Sequence, residues 1–312
     1  CGFIGTSLIK TLSEGKDQKI RVLDNLSVGT RTDLSEVCAF TEGMSDFHQT
    51  QLVVGDITDK QTCFTAAAGM DVIVHLAANT GVGPSVENPE ADMKSNVIGT
   101  FNMLEAAREN KVSRFIFASS GAPAGECEPP IHEELPPHPV SPYGASKLAG
   151  EGYCSAYHKT FGIDTVALRF GNVYGPGSGH KNSVVAKFIK KAMAGKPLEI
   201  YGDGSQTRDF IFIQDLVQAI LLSATKADIG GEIFQIATNK ETTVSEMVDE
   251  LTPILNRHGI QNVQILNTKT RLGDVKRNFS DTSKAKKQLG WSFQHDLASG
   301  LEQTVRWFSK TA

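Results

Sequence analysis

The chain has 312 residues, room for one large domain or two of ordinary size, and its 40% hydrophobic and 21% charged residues give the balance of a globular enzyme with a substantial core. A net charge of −4 argues against nucleic acid or an anionic membrane surface as the main partner, and no apolar run reaches the roughly 18 residues of a membrane-crossing helix. The five cysteines are scattered with no Cys-x-x-Cys pair, which fits free thiols in a reducing, cytoplasmic setting, and the eight histidines lack metal-ligand spacing, so no metal site is expected.

The sequence opens on Cys1-Gly2-Phe3-Ile4-Gly5 and runs directly into a helical stretch over residues 6–14. Glycines spaced this way at a helix start fit the tail of a dinucleotide-binding turn, where the backbone approaches a pyrophosphate seated on the positive helix end. The strand and first glycine of such a turn are missing, so the chain is expected to begin inside its first βα unit. Residues 19–24 then read as a short apolar strand ending in an acid, at about the 20-residue spacing where a carboxylate accepts from adenosine ribose hydroxyls. The same carboxylate would repel a 2′-phosphate, so Asp24 points to NAD rather than NADP.

The pattern repeats along the next hundred residues. A strand at 51–56 precedes a helix at 60–68, a buried strand at 71–76 leads into a loop at 77–84, a long amphipathic helix covers about 90–110, and a further strand lies at 114–119. Apolar strands alternating with helices imply an α/β protein with a parallel, doubly wound sheet covered on both faces. Ligands in such sheets sit beyond the carboxyl ends of the strands, and Asp24, Asp56, Ala77, Ser119 and Ser120 all fall at those ends.

Ser141-Pro-Tyr-Gly-Ala-Ser-Lys147 opens the next helix and puts Tyr143 and Lys147 four apart on one face. A phenol with an ordinary pKa of about 10 is a poor base at neutral pH, and a fixed ammonium beside it is expected to draw that value down. Taken alone the pair also fits an ordinary surface helix; the strand-end residues give it its meaning. Beyond it come a strand at 164–169, a turn-rich loop at 170–176, a helix at 183–194 and a short strand at 198–201. A tight turn at 202–204, a segment 208–215 feeding a helix to about 225, a strand at 232–237, a helix opening at Thr243 and two terminal helices complete the chain. The last third loses the βα rhythm, as a smaller mixed α/β lobe closing over the sheet edge would.

Together these residues resemble the extended short-chain dehydrogenase/reductases that act on nucleotide sugars, and within them the UDP-hexose 4-epimerases. The matching motifs are Gly2-Phe-Ile-Gly5, Asp24-Asn25, Gly55-Asp56-Ile57, His75-Leu-Ala-Ala78, Asn96-Val-x-Gly-Thr100, Ser119-Ser120 and Pro142-Tyr143-x-x-x-Lys147. They continue with Arg169-Phe-Gly-Asn-Val-Tyr-Gly-Pro176, Gly202-Asp-Gly204, Arg208-Asp-Phe210, Asp215 and Arg271-x-Gly-Asp274, so the resemblance spans nearly the whole chain.

The resemblance implies a Rossmann-type domain over residues 1–170 that binds NAD, with about 205–240 returning to it, and a nucleotide-sugar lobe mainly over 171–312. It implies that Ser120, Tyr143 and Lys147 are catalytic. Tyr143 would be general base and acid at a sugar hydroxyl, Ser120 would hydrogen-bond the same oxygen, and Lys147 would hold the nicotinamide ribose while lowering the tyrosine pKa. NAD contacts are implied for Gly2, Phe3, Ile4, Gly5, Asp24, Asn25, Asp56, Ile57, Leu76, Ala77, Ala78, Asn96, Ser119, Tyr143 and Lys147. Substrate contacts are implied for Thr80, Ser120, Tyr143, Asn172, Tyr201, Arg208, Arg271, Asp274 and Asn278. Of these, the arginines and Asn172 belong to the diphosphate and nucleotide, Tyr201 to the base and Asp274 to its ribose. The helices near 90–110 and 143–161 resemble the pair that builds an intersubunit four-helix bundle, which implies a homodimer.

Members of this family share hydride transfer from sugar C4 and differ in the fate of the resulting 4-keto sugar. A 4,6-dehydratase carries Asp-Glu after its catalytic hydroxyl residue, and UDP-glucuronate decarboxylases usually keep a Glu there. Here Ser120 is followed by Gly121 and Ala122, which move no proton, so the resemblance implies 4-epimerisation through a transient 4-keto sugar. Pro123-Ala124-Gly125 replaces the family's Val-Tyr-Gly, Thr80 stands where some epimerases carry a lysine, and Asn278 falls where a larger side chain restricts others to plain hexoses. The pocket is therefore expected to leave room for an N-acetylhexosamine or a uronic acid. A reductase, a decarboxylase, a dehydratase and a non-catalytic NAD-binding regulator are the alternatives. Cys127, flanked by Glu126 and Glu128, reads as an inert loop thiol.

Overall fold

The computed structural model describes residues 1–15, 18–44, 49–269 and 276–311. Its first strands are β1 (Ile20–Asp24), β2 (Thr41–Glu42), β3 (Thr50–Val54), β4 (Val72–His75), β5 (Arg114–Ser120) and β6 (Asp164–Phe170). They are followed by β7 (Asn172–Tyr174), β8 (Leu198–Tyr201), β9 (Thr207–Arg208), β10 (Phe210–Phe212), β11 (Ile233–Ile236), β12 (Thr242–Thr243) and β13 (Ile265–Thr268). A three-stranded ladder, β1-β3-β2, and a four-stranded ladder, β11-β6-β5-β4, are parallel throughout.

Successive residues of β5 enter different cores because strand side chains alternate. Phe115 and Phe117 pack among Met103 and Leu104 of helix Gly99–Glu109 and Cys154 and Tyr157 of helix Pro142–Phe161. Ile116 faces the other way, with Phe3 and Leu8 of helix Phe3–Ser13 and Leu216 and Ile220 of helix Ile213–Thr225. Helices thus cover both faces, as an apolar parallel sheet requires.

Helix Pro142–Phe161 begins and ends on local signals. The Ser141 side chain accepts from Gly144 N–H, Pro142 occupies the first turn, where its missing N–H costs nothing, and Gly162 closes the helix at a φ of 72°. Gly150 lets this helix lie flat on the sheet, since a Cβ there would overlap the Phe117 ring.

Two expectations change. The helix anticipated at 90–110 starts earlier, as Val82–Glu87, restarts at Pro89–Met93, passes through a π turn at Lys94–Ile98 and continues as Gly99–Glu109. The restart follows from Asn88, whose side chain caps Ala91 N–H with Pro89 in the first turn. The turn-rich stretch at 170–176 contains β7, which pairs in parallel with β10.

The C-terminal part pairs β8 with β13 in parallel and β9 with β12 antiparallel, beside helices Val184–Met193, Val244–Arg257 and Leu297–Thr311. Two buried acids tie it to the rest. Asp209 accepts from Thr238 N–H and Oγ1, Asn239 N–H and Ser280 N–H. Asp215 accepts from Gln294 N–H and His295 N–H and meets His295 Nδ1 at 3.0 Å. A single apolar core runs from Phe3 and Ile116 through Phe212 to Phe308.

Candidate active site

The start of helix Phe3–Ser13 has Gly2 as an N-cap in extended backbone, with no side chain capping it. The first N–H groups of any helix lack intrahelical acceptors, so this end presents donors and a positive potential. A Cβ on Gly2 would meet nothing within 4 Å, and one on Gly5 only Leu76 Cδ1 at 4.0 Å, so the helix end opens onto free space lined by Leu76. That combination suits a pyrophosphate. At the end of β1, Asp24 Oδ1 accepts from Leu26 N–H at 2.7 Å. Asn25 Nδ2 donates to Asp56 Oδ2 at 2.9 Å, while Thr58 donates to Oδ1, and these bonds hold the Asp56 carboxyl below the usual range. Ala77 and Ala78 follow β4 half-buried. The donors at the helix end and the acids at the strand ends fit a dinucleotide such as NAD. Phe3 and Ile57 are buried, and Ile57 packs so closely on Gly99 that a Cβ there would overlap it, which makes the Ile57 side chain part of the core.

The residues expected to react converge at the end of β5. Helix Pro142–Phe161 carries Tyr143, Lys147 and Glu151 at four-residue spacing, hence on one face. Lys147 is buried; its Nζ donates to Ala118 O at 2.8 Å and lies 4.9 Å from the Phe117 ring centre and 5.9 Å from that of Tyr143. Burial pushes the Lys147 ammonium down to about 8, with Asp92 first among the groups that oppose the fall. Tyr143 is half-buried, and Ser120 Oγ accepts from Ala122 N–H at 3.2 Å. Burial raises the Tyr143 phenol above its ordinary value, a hydrogen bond with Ser120 offsets part of this, and the charge of Asp92 adds to the rise. The expected lowering by Lys147 is therefore reversed here. The ammonium is turned to the Ala118 carbonyl, and its charge is answered by Asp92 and Glu151.

Two networks flank this centre. Ser119 Oγ donates to Glu151 Oε1 at 2.6 Å, and Arg169 holds both oxygens of Glu151 at 2.8 Å, all three residues being buried. The Ser119 hydroxyl is thus committed inside the protein. Glu151 escaped the sequence reading, although it stands one helical turn beyond Lys147, and Arg169 was visible only as the first residue of a motif, without a role. On the other side Asn96 joins the loop after β4 to the catalytic helix, through Asn79 and Ser146.

Ala124 is only 2% exposed and Pro123 is buried as well. Gly125 bridges to His138, and a Cβ on Gly144 would lie 2.7 Å from Ala122 O, so this turn is clamped against the helix start. The replacement of the family's aromatic consequently opens no cleft at Ala124, contrary to the expectation of extra room there. Cys127 is half-buried, and burial together with Glu128 pushes its thiol up, in keeping with an inert residue.

The residues expected on the nucleotide side are spread over β7, β8 and β9. Asn172 opens β7 and donates its N–H to Asp209 O at 2.8 Å. Tyr201 ends β8 with Lys187 Nζ 3.4 Å from its hydroxyl and 5.3 Å from its ring centre; no sequence pattern marks Lys187. Arg208 on β9 is half-buried, with Nη1 donating to Thr207 O at 2.6 Å. Asn278, half-buried, donates its N–H to Thr207 Oγ1 and so lies beside β9, whereas Thr80 is exposed beyond β4. Arg271 and Asp274 lie outside the described residues.

The NAD dependent epimerase/dehydratase family matches residues 1–237. A putative UDP-glucose 4-epimerase from Methanocaldococcus jannaschii is 35% identical over 311 residues, 98% of this chain and 95% of that protein. Among solved structures, the UDP-glucose 4-epimerase of Thermotoga maritima with UDP-glucose has a TM-score of 0.89 at 32% identity, covering 99% of this chain and 96% of its own. A dTDP-glucose 4,6-dehydratase from Streptomyces venezuelae with NAD bound has a TM-score of 0.86 at 30% identity, covering 99% and 94%. Epimerases and dehydratases both stand among the relatives. Fold, helix-end geometry and matched span agree, and the chain belongs to the NAD-dependent epimerase/dehydratase family, the extended short-chain dehydrogenase/reductases that work on nucleotide sugars.

Proposed function

We propose that this enzyme is a UDP-hexose 4-epimerase. The observation that carries the reading is the pair after Ser120: Gly121 and Ala122 offer no carboxyl group at the place where elimination of water needs one. NAD would be held by the helix start at Gly2–Gly5, by Asp24, Asn25 and Asp56 at the strand ends, by Ala77 and Ala78, and by Lys147; Asn96, whose side chain is spent inside the protein, supports the loop after β4 and does not reach the cofactor. When bound, it supplies the acceptor and donor of hydride for sugar C4. Burial by itself keeps Tyr143 a phenol, but Lys147 together with the positive nicotinamide of bound NAD would favour the phenolate. As phenolate Tyr143 takes the proton of the C4 hydroxyl and later returns it, while Ser120 hydrogen-bonds the same oxygen. The 4-keto sugar turns between the two half-reactions, so that reduction reaches its opposite face. Asn172, Tyr201 and Arg208 bind the nucleotide and diphosphate, where a guanidinium can grip two oxygens at once.

Incubation with UDP-glucose, UDP-N-acetylglucosamine and UDP-glucuronate, followed by separation of the products, tests this. The C4 epimer of at least one is expected. A 4-keto-6-deoxy product, or no epimer from any of the three, overturns the assignment.

The same reading includes a homodimer. Val82, Val86, Met93 and Ile98 are 50%, 61%, 45% and 41% exposed, and Tyr153 and Phe161 on the catalytic helix are 39% and 50% exposed. The helices bearing them pack together, and this much apolar surface on neighbouring helices favours a second copy over water.

A further inference from the structure

Asp92 is a buried carboxylate that the reaction above leaves unused. It lies in helix Pro89–Met93, just before the π turn, and is 1% exposed. Its Oδ1 accepts from Asn96 Nδ2 at 2.8 Å. Asn96 is itself 1% exposed; the same Nδ2 reaches Asn79 O at 2.9 Å and Ser146 Oγ at 3.2 Å, and its Oδ1 accepts from Asn79 N–H at 2.8 Å. Ser146 Oγ in turn donates to the carbonyl of Tyr143 at 3.0 Å. The carboxylate thus heads a hydrogen-bonded line that reaches both the loop after β4 and the backbone of Tyr143.

A carboxylate buried against a neutral amide is costly without a cation in reach. The titratable groups around Lys147 are Tyr143, Glu151 and Cys154 on its own helix, His75 on β4 and Asp92 on Pro89–Met93. Glu151 is already gripped by Arg169 at both oxygens, and of the charges that favour the Lys147 ammonium that of Asp92 comes first, ahead of Glu151. We propose that Asp92 is a positioning residue for Tyr143 and Lys147, fixing Asn96 between the β4 loop and the catalytic helix and serving as the buried counter-charge of Lys147. The inference rests on the assignment of Tyr143 and Lys147 as the acid/base pair.

Asp92 acts on both groups in one direction: its charge favours the ammonium of Lys147 and disfavours the phenolate of Tyr143. Loss of that charge lowers both. Asp92→Asn preserves the volume and, through its amide oxygen, the acceptor for Asn96, so only the charge goes.

The test is an ultraviolet titration of tyrosine ionisation on the purified holoenzyme without added sugar. Wild type and Asp92→Asn are each compared with the same protein carrying Tyr143→Phe, so that the difference reports Tyr143 alone. The Tyr143 signal is expected at lower pH in Asp92→Asn, with roughly threefold more phenolate at a fixed alkaline pH. The pH profile of turnover should move to lower pH on both limbs. An unmoved Tyr143 signal in a folded Asp92→Asn protein overturns the proposal. If Asp92→Asn does not fold, Asp92→Ser takes its place. Collapse of both neutral variants, with Asp92→Glu folded and half-active at best, would mark Asp92 as a structural anchor and overturn the charge role. Because the titration uses no sugar, its outcome is independent of whether the enzyme epimerises any UDP-hexose.

Discussion

Lys147 places opposite demands on activity and stability. Its ammonium titrates near 8 in the folded protein against an ordinary 10.5, with burial as the main cause. Between those values the unfolded chain keeps a proton that the folded chain has lost, so stability rises with pH across that window. Under the proposed mechanism activity falls across it, because that mechanism uses the ammonium. Denaturant unfolding at about pH 7.5 and pH 10 should show wild type gaining on the order of 2 kcal/mol more than Lys147→Met, while turnover declines. Equal pH dependence in the two proteins would remove the buried ammonium from the account. For Tyr143→Phe, loss of the acid/base group is expected to cut turnover by about a thousandfold with NAD still bound. A loss below tenfold in that variant would exclude Tyr143 as the proton carrier.

At the scale of elements, the catalytic helix offers an internal comparison. Gly150 and Gly152 sit two residues apart in it, yet a Cβ on Gly150 would overlap the Phe117 ring, while one on Gly152 meets nothing within 4 Å. Gly150→Ala is therefore expected to cost about 1–3 kcal/mol by overpacking, and Gly152→Ala to stabilise by about 0.5–1 kcal/mol through helix propensity. Thermal unfolding of the two variants reads the opposite signs. This helix was legible in the sequence because Ser141, Pro142 and Gly162 act locally. Less local features were not. The Glu151–Arg169 pair depends on how a helix turn settles over β5 and β6, and the π turn inserts a residue without disturbing the apolar pattern enough to be seen. Asp209 and Asp215 were visible within a motif, but their partners Ser280 and His295 lie 71 and 80 residues further on, so their role as clamps needed the fold.

For the whole molecule, alternation of apolar strands and helices was enough to give a parallel sheet covered on both faces. The site was legible as residues at strand ends and less so as geometry: Ser119 and Ile57 turn inward, Ala124 is sealed, and Tyr143 is held as a phenol. The apolar surface around Val86 and Ile98 belongs to this scale too. Light scattering is expected to give a dimer mass for wild type and a monomer mass for the Val86→Glu, Ile98→Glu double variant. A wild-type monomer would contradict the four-helix bundle.

The π turn at Lys94–Ile98 has a consequence for any shortened relative of this chain. It holds one residue beyond what an α turn would need, so deleting Lys94 or Ser95 can be absorbed as uninterrupted helix. The surplus residue is taken up within one widened turn, so the helix before it and the helix after it keep nearly the bearing of an unbroken helix. In the shortened chain Met93 would therefore hold its bearing towards Ile98, and the outer apolar surface would survive. The change would fall on the widened turn itself, where the aspartate and asparagine now at 92 and 96 would stand three residues apart instead of four.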